Sequence, residues 1–430
     1  MTRHRYWVVL LMFLSVFINY MDRVNFNVAI PKIQSDLGFN LDQIGQISFA
    51  WAIVYAVFNF PGGWLADRIG LRWALPLLLG WWSAFTIATP FARGLGAWFA
   101  VRGLMGAGEA PIWPVNAKVA NTWAAPGERS TLYTWAGSGQ FAAPALMTMV
   151  AGWIVASPML GWQWSFVIFG AVGFLIVPLW IWIVRDRPAQ DARVNAEELA
   201  FIGNRAAHDE KPDWPGIRDV VFSRTGIGML LVYLTFGYVL FTFLNWMPTY
   251  MHDQFGMSIL KGSAWSTVGA LMGLLGFLIS GPFNDRLVRR FDRLTARRIG
   301  AAAPMALGAV AIAFSVPAAT AGQAGATAIL IGFAMLLMNM TVGAWAVNVI
   351  DISPNQASTG FVYGIYNGVL NVMGAFSSII ITRIATAYHF NVAFGSAIVF
   401  MLVFVLGIFI VDRKSYERLV AKAHAVRSAT

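Results

Sequence analysis

Twelve apolar stretches, each about as long as a bilayer crossing, leave this chain few folds to choose from. They cover residues 7–30, 44–65, 73–91, 97–120, 132–156, 164–184, 226–250, 263–283, 299–318, 324–350, 361–384 and 393–411. A helix needs about 20 apolar residues to cross a hydrocarbon core about 30 Å thick. Without water, the backbone there must satisfy its own hydrogen bonds, and runs this long do so as helices. The expectation is an all-α membrane protein with twelve transmembrane helices. Composition agrees: of 430 residues 58% are hydrophobic and 12% charged, with mean hydropathy +0.63, more apolar surface than a soluble globule carries. Trp (19) and Phe (32) supply lipid-facing bulk and interfacial belts. No cysteine is present, which excludes disulfides, thiolate metal sites and cysteine nucleophiles. Arg3, His4 and Arg5 open the chain as a signal peptide would, but the run that follows is too long and lacks a small-residue cleavage site. It is expected to stay as the first span.

Loops between the spans are short except for residues 185–224. That loop divides the chain into an N-terminal six-helix bundle (1–184), a central loop (185–224) with a helix expected near 195–206, a C-terminal six-helix bundle (225–412) and a tail (413–430). Threading twelve spans with both ends on one side puts every Lys and Arg on that side except Arg23, Lys32, Arg93, Arg102, Lys261 and Arg383. The positive-inside rule then makes the central loop and both termini cytoplasmic. Topology thus accounts for the net charge of +10, and no nucleic-acid partner is expected. The bilayer, in a multi-pass arrangement, is the expected surrounding.

Charge inside the spans is the next clue. Asp22 and Arg23 lie roughly 20 Å along the first helix at about 1.5 Å per residue, near mid-bilayer. Each costs about 3 kcal/mol there, so such residues usually face a protein interior or a watery pathway. In the fourth span Arg102 and Glu109 stand seven residues apart, about 10 Å along one helix face, which Asn116 continues. Gly103, Gly106 and Gly108 offer a neighbouring helix a close approach, while Pro111 and Pro114 should bend the lower half. These four are the ionisable residues placed deep within spans, and all lie in the first half. A purely structural bridge is the alternative to a functional one.

Two acids and two bases sum to zero, so an entering carboxylate is best accommodated if an acid first takes up a proton. On that expectation Arg23 clamps a carboxylate bidentately, Asp22 and Glu109 are the proton sites, and Arg102 exchanges partners among them and the substrate. The second half carries amides and aromatics instead: Asn245 and Trp246 at the end of span seven, Trp345 in span ten, Asn367 and Asn371 on one face of span eleven. Buried amides need partners, so they face either a hydroxylated substrate or a neighbouring helix.

The halves also echo each other. After span two stand Gly62, Gly63, Asp67, Arg68, Gly70 and Arg72; after span eight stand Gly281, Asp285 and Arg286, giving Gly-x-x-x-Asp-Arg twice. Ser130, Thr131 and Gln140 pair more weakly with Ser358, Thr359 and Asn367. Duplicated six-span units are how many secondary transporters are built, with the substrate at the interface of the halves. Gly63, Asp67, Arg68, Gly70, Arg72, Asp285 and Arg286 are the expected gating residues: glycines for close approach, and Asp67 to accept from a helix end or to pair with arginine. Arg68 and Arg72 also serve topology.

Twelve spans, the long central loop and the 62–72 motif resemble the major facilitator superfamily. Tyr20 to Arg23, residues 102–111 with Pro114 and Asn116, and residues 138–141 are together similar to its anion:cation symporter family, along essentially the whole chain. The resemblance implies the major facilitator fold and proton-coupled symport of an organic carboxylate by alternating access, in a bacterial inner membrane. It also implies Gln140 and Asn367 as substrate contacts, with Tyr20 and Tyr55 beside them. The Trp246 to Pro248 pattern resembles the sugar-acid branch, making a hexonate, hexuronate or aldarate the favoured cargo. Val342, Gly343 and Ala344 stand where hydroxyls would suit a polyol, which keeps aromatic or small dicarboxylic acids open as an alternative. A superfamily exporter is the further alternative, and Arg23 with Arg102 argues against cationic cargo. No cofactor beyond protons as the coupling ion, no metal and a monomer are expected. An enzyme is not: His4, His208, His252, His389 and His424 fall at loops, tails or span ends, and no catalytic spacing appears.

Overall fold

The computed structural model of the chain describes residues 1–203, 211–257 and 259–429. Among these, helix is the only regular structure, and the chain divides into two compact units. Unit 1 comprises Met1–Pro126, Trp135–Pro212 and Gln356–Gly368; unit 2 comprises Gly127–Thr134, Asp213–Asn355 and Val369–Thr430. The units therefore do not follow the sequence halves strictly: each takes in a short segment of the other half.

Unit 1 begins with α1 (His4–Leu37), α2 (Leu41–Ile69) and α3 (Leu71–Ala88). Their ends are set by local chemistry. Gly38, at φ 70°, closes α1 in the left-handed region that an L side chain resists. Asn40 accepts from the Gln43 N–H while the Gln43 side chain accepts from the Asn40 N–H, so α2 starts with a complete capping box. Next come α4 (Gly94–Glu109) and α5 (Ile112–Trp123), the two parts of the expected fourth span. They are 16 and 12 residues long and are interrupted at Ala110 and Pro111, whose φ stay at −54° and −75°, where proline was expected to bend the span. Pro111 has no N–H to donate, and its ring crowds the carbonyl four residues back. Eleven stretches of the described residues are accordingly long and apolar enough to cross a membrane, and the α4–α5 region is the expected span absent from that set.

Helices α6 (Arg129–Gly137) and α7 (Gly139–Ala156) share the fifth expected span, and α8 (Gly161–Ile183) is the sixth. α1 packs mainly on α7 and α8, α2 on α4, and α3 on α8. One apolar cluster of this unit gathers Phe26, Ile33, Ile47, Trp98, Trp162 and Phe166. The central loop holds α9 (Ala196–Ile202), within the expected 195–206 segment, started by Asn195 accepting from the Glu198 N–H; residues 204–210, including His208, lie outside the described residues.

The loop's short helix grips the start of α1. Glu198, fully buried, accepts from the Thr2 hydroxyl (2.6 Å), from the His4 and Arg5 backbone N–H groups (3.0 and 3.2 Å), and from the Arg5 guanidinium (2.9 Å). His4 Nε2 stands 3.1 Å from the Asp191 carboxylate.

Unit 2 contains α10 (Trp214–Val221), α11 (Arg224–Phe255), α12 (Ile259–Arg290), α13 (Arg293–Thr320), α14 (Ala324–Met340) and α15 (Val342–Ile352). α16 (Thr359–Ala387) starts in unit 1 and continues in unit 2, followed by α17 (Phe390–Gly395), α18 (Ala397–Ile410) and α19 (Arg413–Ala429). α12 packs on α14, α13 on α14, and α11 on α18. Aromatic rings fill this unit: Tyr238 stacks on Phe400 at 3.6 Å and Tyr250 on Phe394 at 4.1 Å between centroids. The side chain of Lys261, expected on the non-cytoplasmic side, is not among those described.

A candidate ligand site on α1, α2 and α4

The charges foreseen in the spans meet inside unit 1. Asp22 and Glu109 are fully buried, and Arg102 is 3% exposed. Arg23 Nε stands 3.4 Å from Glu109 Oε2. The same oxygen accepts a 3.2 Å hydrogen bond from the indole N–H of Trp51. Glu109 Oε1 and Asp22 Oδ1 have no hydrogen-bond partner, and neither do Arg23 Nε and Nη2 or Arg102 Nε. Asp22 Oδ2 has only a long contact, 3.4 Å, from the Thr86 hydroxyl.

Three rings box the Arg23 guanidinium: its central carbon lies 4.5 Å from the Tyr20 ring and 4.7 Å from each of Trp51 and Tyr55. Such cation–π contacts stabilise the arginine by about 0.5–2 kcal/mol each, depending on desolvation. Tyr20 donates in turn to Gln140 Oε1 at 3.4 Å. Helix geometry explains the box. Trp51, Tyr55 and Asn59 recur every four residues along α2 and present one ridge, and α4 comes close because Gly106 has no side chain: a Cβ there would stand 2.8 Å from the Trp51 carbonyl oxygen.

Arg102, expected to exchange partners among the two acids and the substrate, has both Glu109 and Asp22 as charged neighbours. Its guanidinium lies 4.1 Å over the Phe26 ring, with Nη1 3.1 Å from Met105 Sδ. Asn367 donates to Asn59 Oδ1 at 2.6 Å, and Asn59 to the Tyr55 carbonyl at 2.8 Å. Tyr20, Arg23, Tyr55, Arg102, Glu109, Gln140 and Asn367 thus belong to unit 1, together with Asp22.

The remaining expected contacts are in unit 2. Trp345 is buried among Tyr233 and Phe236, ring centroids 4.4 and 4.8 Å away, and its N–H is taken by the Thr341 hydroxyl at 3.0 Å. Asn245 is exposed. Trp246 makes a 3.4 Å contact with the Ser378 hydroxyl.

The duplicated motif resolves into two matching helix caps. Asp67 accepts from the Gly360 and Phe361 N–H groups at 3.1 and 2.8 Å, in the first turn of α16, within unit 1. Asp285 accepts from the Ser130 and Thr131 N–H groups at 3.1 and 2.8 Å and from the Thr131 hydroxyl at 2.6 Å, in the first turn of α6, within unit 2. Carboxylates suit such positions, where unpaired N–H groups carry partial positive charge. The cationic partner of Asp67 is Lys118, at 3.2 Å, rather than an arginine. Arg68 instead covers Trp64, Arg72 lies over Trp73, and Arg286 is exposed. Gly63 is required for closeness, since a Cβ would meet the Gly360 carbonyl oxygen. Gly70 makes the α2–α3 corner at φ 80°, against Asp186, which accepts from the Arg72 N–H at 2.9 Å.

Sequence reasoning passed over Trp51 and Asn59, although their four-residue spacing with Tyr55 was readable. It also passed over a second buried charge cluster in unit 2. There Asp351 pairs with Arg129 and Arg297, both at 3.0 Å, and Arg297 donates to the Ser130 hydroxyl at 2.8 Å. Each of its members sits at a span end, where charge is ordinary.

Acids and arginines buried with unpartnered polar atoms inside a bundle of apolar helices point to a pathway through a membrane, and comparison with known proteins gives its class. Over 96% of its length the chain superposes on the E. coli fucose:proton symporter, covering 100% of that chain with a TM-score of 0.70 at 12% identity, a likeness of fold. The signature of the Major Facilitator Superfamily matches residues 12–378, and the chain belongs to that family. Among curated relatives, a probable galactarate/D-glucarate transporter of Bacillus subtilis (strain 168) is 29% identical over 419 residues, 93% of this chain and 89% of the relative. A D-galactonate transporter of Escherichia coli O6:H1 is 31% identical over 302 residues, 67% of this chain and 69% of the relative.

Proposed function

We propose that this chain is a proton-coupled symporter of an organic carboxylate, a hexonate, hexuronate or aldarate by preference, working by alternating access in a bacterial inner membrane with both termini cytoplasmic. The observation that carries the reading is the boxed Arg23 beside Glu109. The guanidinium has donors to spare, and its carboxylate partner keeps one oxygen bare. When Glu109 takes a proton on Oε1, Arg23 loses a charged partner and turns its fork to an incoming carboxylate, the geometry arginine offers best. Asp22 is the second proton site, its Oδ1 equally bare. Gln140 and Tyr20 supply hydroxyl-directed hydrogen bonds beside the clamp. Protons are the coupling ion, and no other cofactor enters.

The names of the relatives support a sugar acid. A second reading has its own observation: the clamp is walled by the rings of Tyr20, Trp51 and Tyr55, a surface that also suits an aromatic acid such as phthalate.

The test has two stages. Thermal shifts of purified protein at acidic and neutral pH are read with galactonate, glucuronate, glucarate, tartrate, phthalate and neutral sugars. A ligand at a hundredfold excess over Kd stabilises the folded state by about 2.7 kcal/mol. A response confined to sugar acids supports the reading, one confined to aromatic acids replaces the cargo, and silence from every anion overturns it. Asp22→Asn and Glu109→Gln are then expected to exchange substrate across proteoliposomes yet fail to accumulate it uphill. Accumulation surviving in both sinks the proton sites.

A further inference from the structure

We infer that Trp51 is the positioning residue that ties proton occupancy of Glu109 to the readiness of the Arg23 clamp, an inference that rests on the symport reading. One indole touches both partners. Its N–H donates to Glu109 Oε2 at 3.2 Å, and its ring lies 4.7 Å from the Arg23 guanidinium carbon. Because Arg23 Nε approaches the same Oε2 at 3.4 Å, both donors crowd one carboxyl oxygen and leave Oε1 free. The indole is a donor only. It therefore holds Oε2 as an acceptor in either protonation state and directs the arriving proton to Oε1, where a new O–H bond forms.

The same ring keeps Arg23 in place while its counter-charge is cancelled. Ion pairing weakens when Glu109 becomes neutral, but a cation–π contact with Trp51 is indifferent to that proton. The guanidinium thus stays at the site, with Nη2 unsatisfied, rather than following the lost charge. Trp51 itself is fixed from two sides. Its ring lies 5.1 Å from that of Tyr55, and Gly106 of α4 leaves room for its backbone. Other groups facing this point are Asp22 and Tyr20 from α1, Tyr55 from α2, Arg102 from α4 itself, and the Thr86 hydroxyl from α3 beside Asp22.

Substitutions separate the two contacts. Trp51→Phe keeps a ring over Arg23 and deletes the N–H; Trp51→Leu deletes both; Trp51→Tyr keeps a ring and returns a donor of different reach. Uptake of D-glucarate into proteoliposomes is measured as a function of external pH, alongside KM and counterflow exchange. A hydrogen bond to the ionised carboxylate favours that form. Losing it lets the proton bind at higher pH, so the alkaline limb of uptake in Trp51→Phe is expected to move up by about one pH unit. Trp51→Tyr should move it less, and Trp51→Leu should in addition raise KM about fivefold as the clamp loosens. An unmoved limb in both Trp51→Phe and Trp51→Tyr, while Glu109→Gln still abolishes uphill uptake, overturns the role of Trp51 and leaves symport standing. Uphill uptake persisting in Glu109→Gln overturns the symport reading itself.

Discussion

Gly106 and Gly103, one turn apart on α4, look interchangeable in sequence, yet the structure gives them opposite burdens. A Cβ at Gly106 would sit 2.8 Å from the Trp51 carbonyl oxygen, whereas one at Gly103 would meet only Val54 Cγ2 at 3.5 Å, an ordinary contact. Gly106→Ala is therefore expected to force α2 from α4 and destabilise by about 1–3 kcal/mol. Gly103→Ala should be neutral or gain up to about 1 kcal/mol in helix propensity. Thermal melts of the two variants check this, and equal melting temperatures would contradict the packing described. Much of the site was legible at this scale because a charge inside an apolar run announces itself: Asp22, Arg23, Arg102 and Glu109 needed no structure to find. Trp51 was not, since 19 tryptophans make any one of them look like lipid-facing bulk. The resting place of Arg102 against Phe26 and Met105 was hidden for another reason. Spacing along a helix says which residues share a face, not which of several neighbours a long side chain chooses.

Helix ends carry the next layer of information. Asp67 and Asp285, two members of one repeated motif, each cap a first turn that lies far away in sequence. Losing such a cap costs about 0.5–2 kcal/mol, and Asp67→Ala also takes the carboxylate from Lys118, leaving it the Ala66 carbonyl at 2.7 Å. Asp67→Ala is expected to lower the maximal transport rate severalfold while moving KM little; an unchanged rate would count against a gating role. Glu198 holds the start of α1 in the same manner. Burial pushes its carboxyl up, but bonds from Thr2, Arg5 and the His4 and Arg5 N–H groups outweigh that and leave it below its ordinary value. Asp191 is likewise lowered: burial opposes, while the Arg193 side chain and backbone and the nearby His4 prevail. For acids depressed in the folded state, the stabilisation is complete above the ordinary range near pH 4 and is lost as pH falls below it. Melting temperature should thus drop below about pH 4, and the drop should be shallower in Glu198→Gln. The motif was readable in sequence as a repeat, and a helix end was among its expected partners. Which helix each would cap was not, because nothing local to a loop records what the chain folds against it. The grip of α9 on α1 left no sequence signal beyond a mixed-charge loop.

Across the whole molecule, the fold class was the most legible feature, since length and apolarity of the runs dictate helices in lipid whatever the details. Interruptions within spans were less legible, and the fourth span shows why. Its residues average out as one apolar run, but a single proline decides that it is two helices. The cysteine-free chain offers a direct check on topology: single cysteines replacing Arg3 and Lys414, both exposed, should both be labelled by an impermeant thiol reagent only from the cytoplasmic face, and labelling from opposite faces would require an odd number of crossings.

The break after Glu109 also bears on how the protein is made. At about 1.5 Å per residue, the 16 residues of α4 reach only about 24 Å, short of the hydrocarbon thickness, and they carry two of the buried charges. A ribosome delivering this segment presents the insertion machinery with a helix that lipid alone does not welcome. α1 has already left the tunnel by then, with Asp22 and Arg23 unsatisfied. α4 packs on α2 and α3, both made before it, so the order of synthesis has its hosts ready when this short, charged segment arrives.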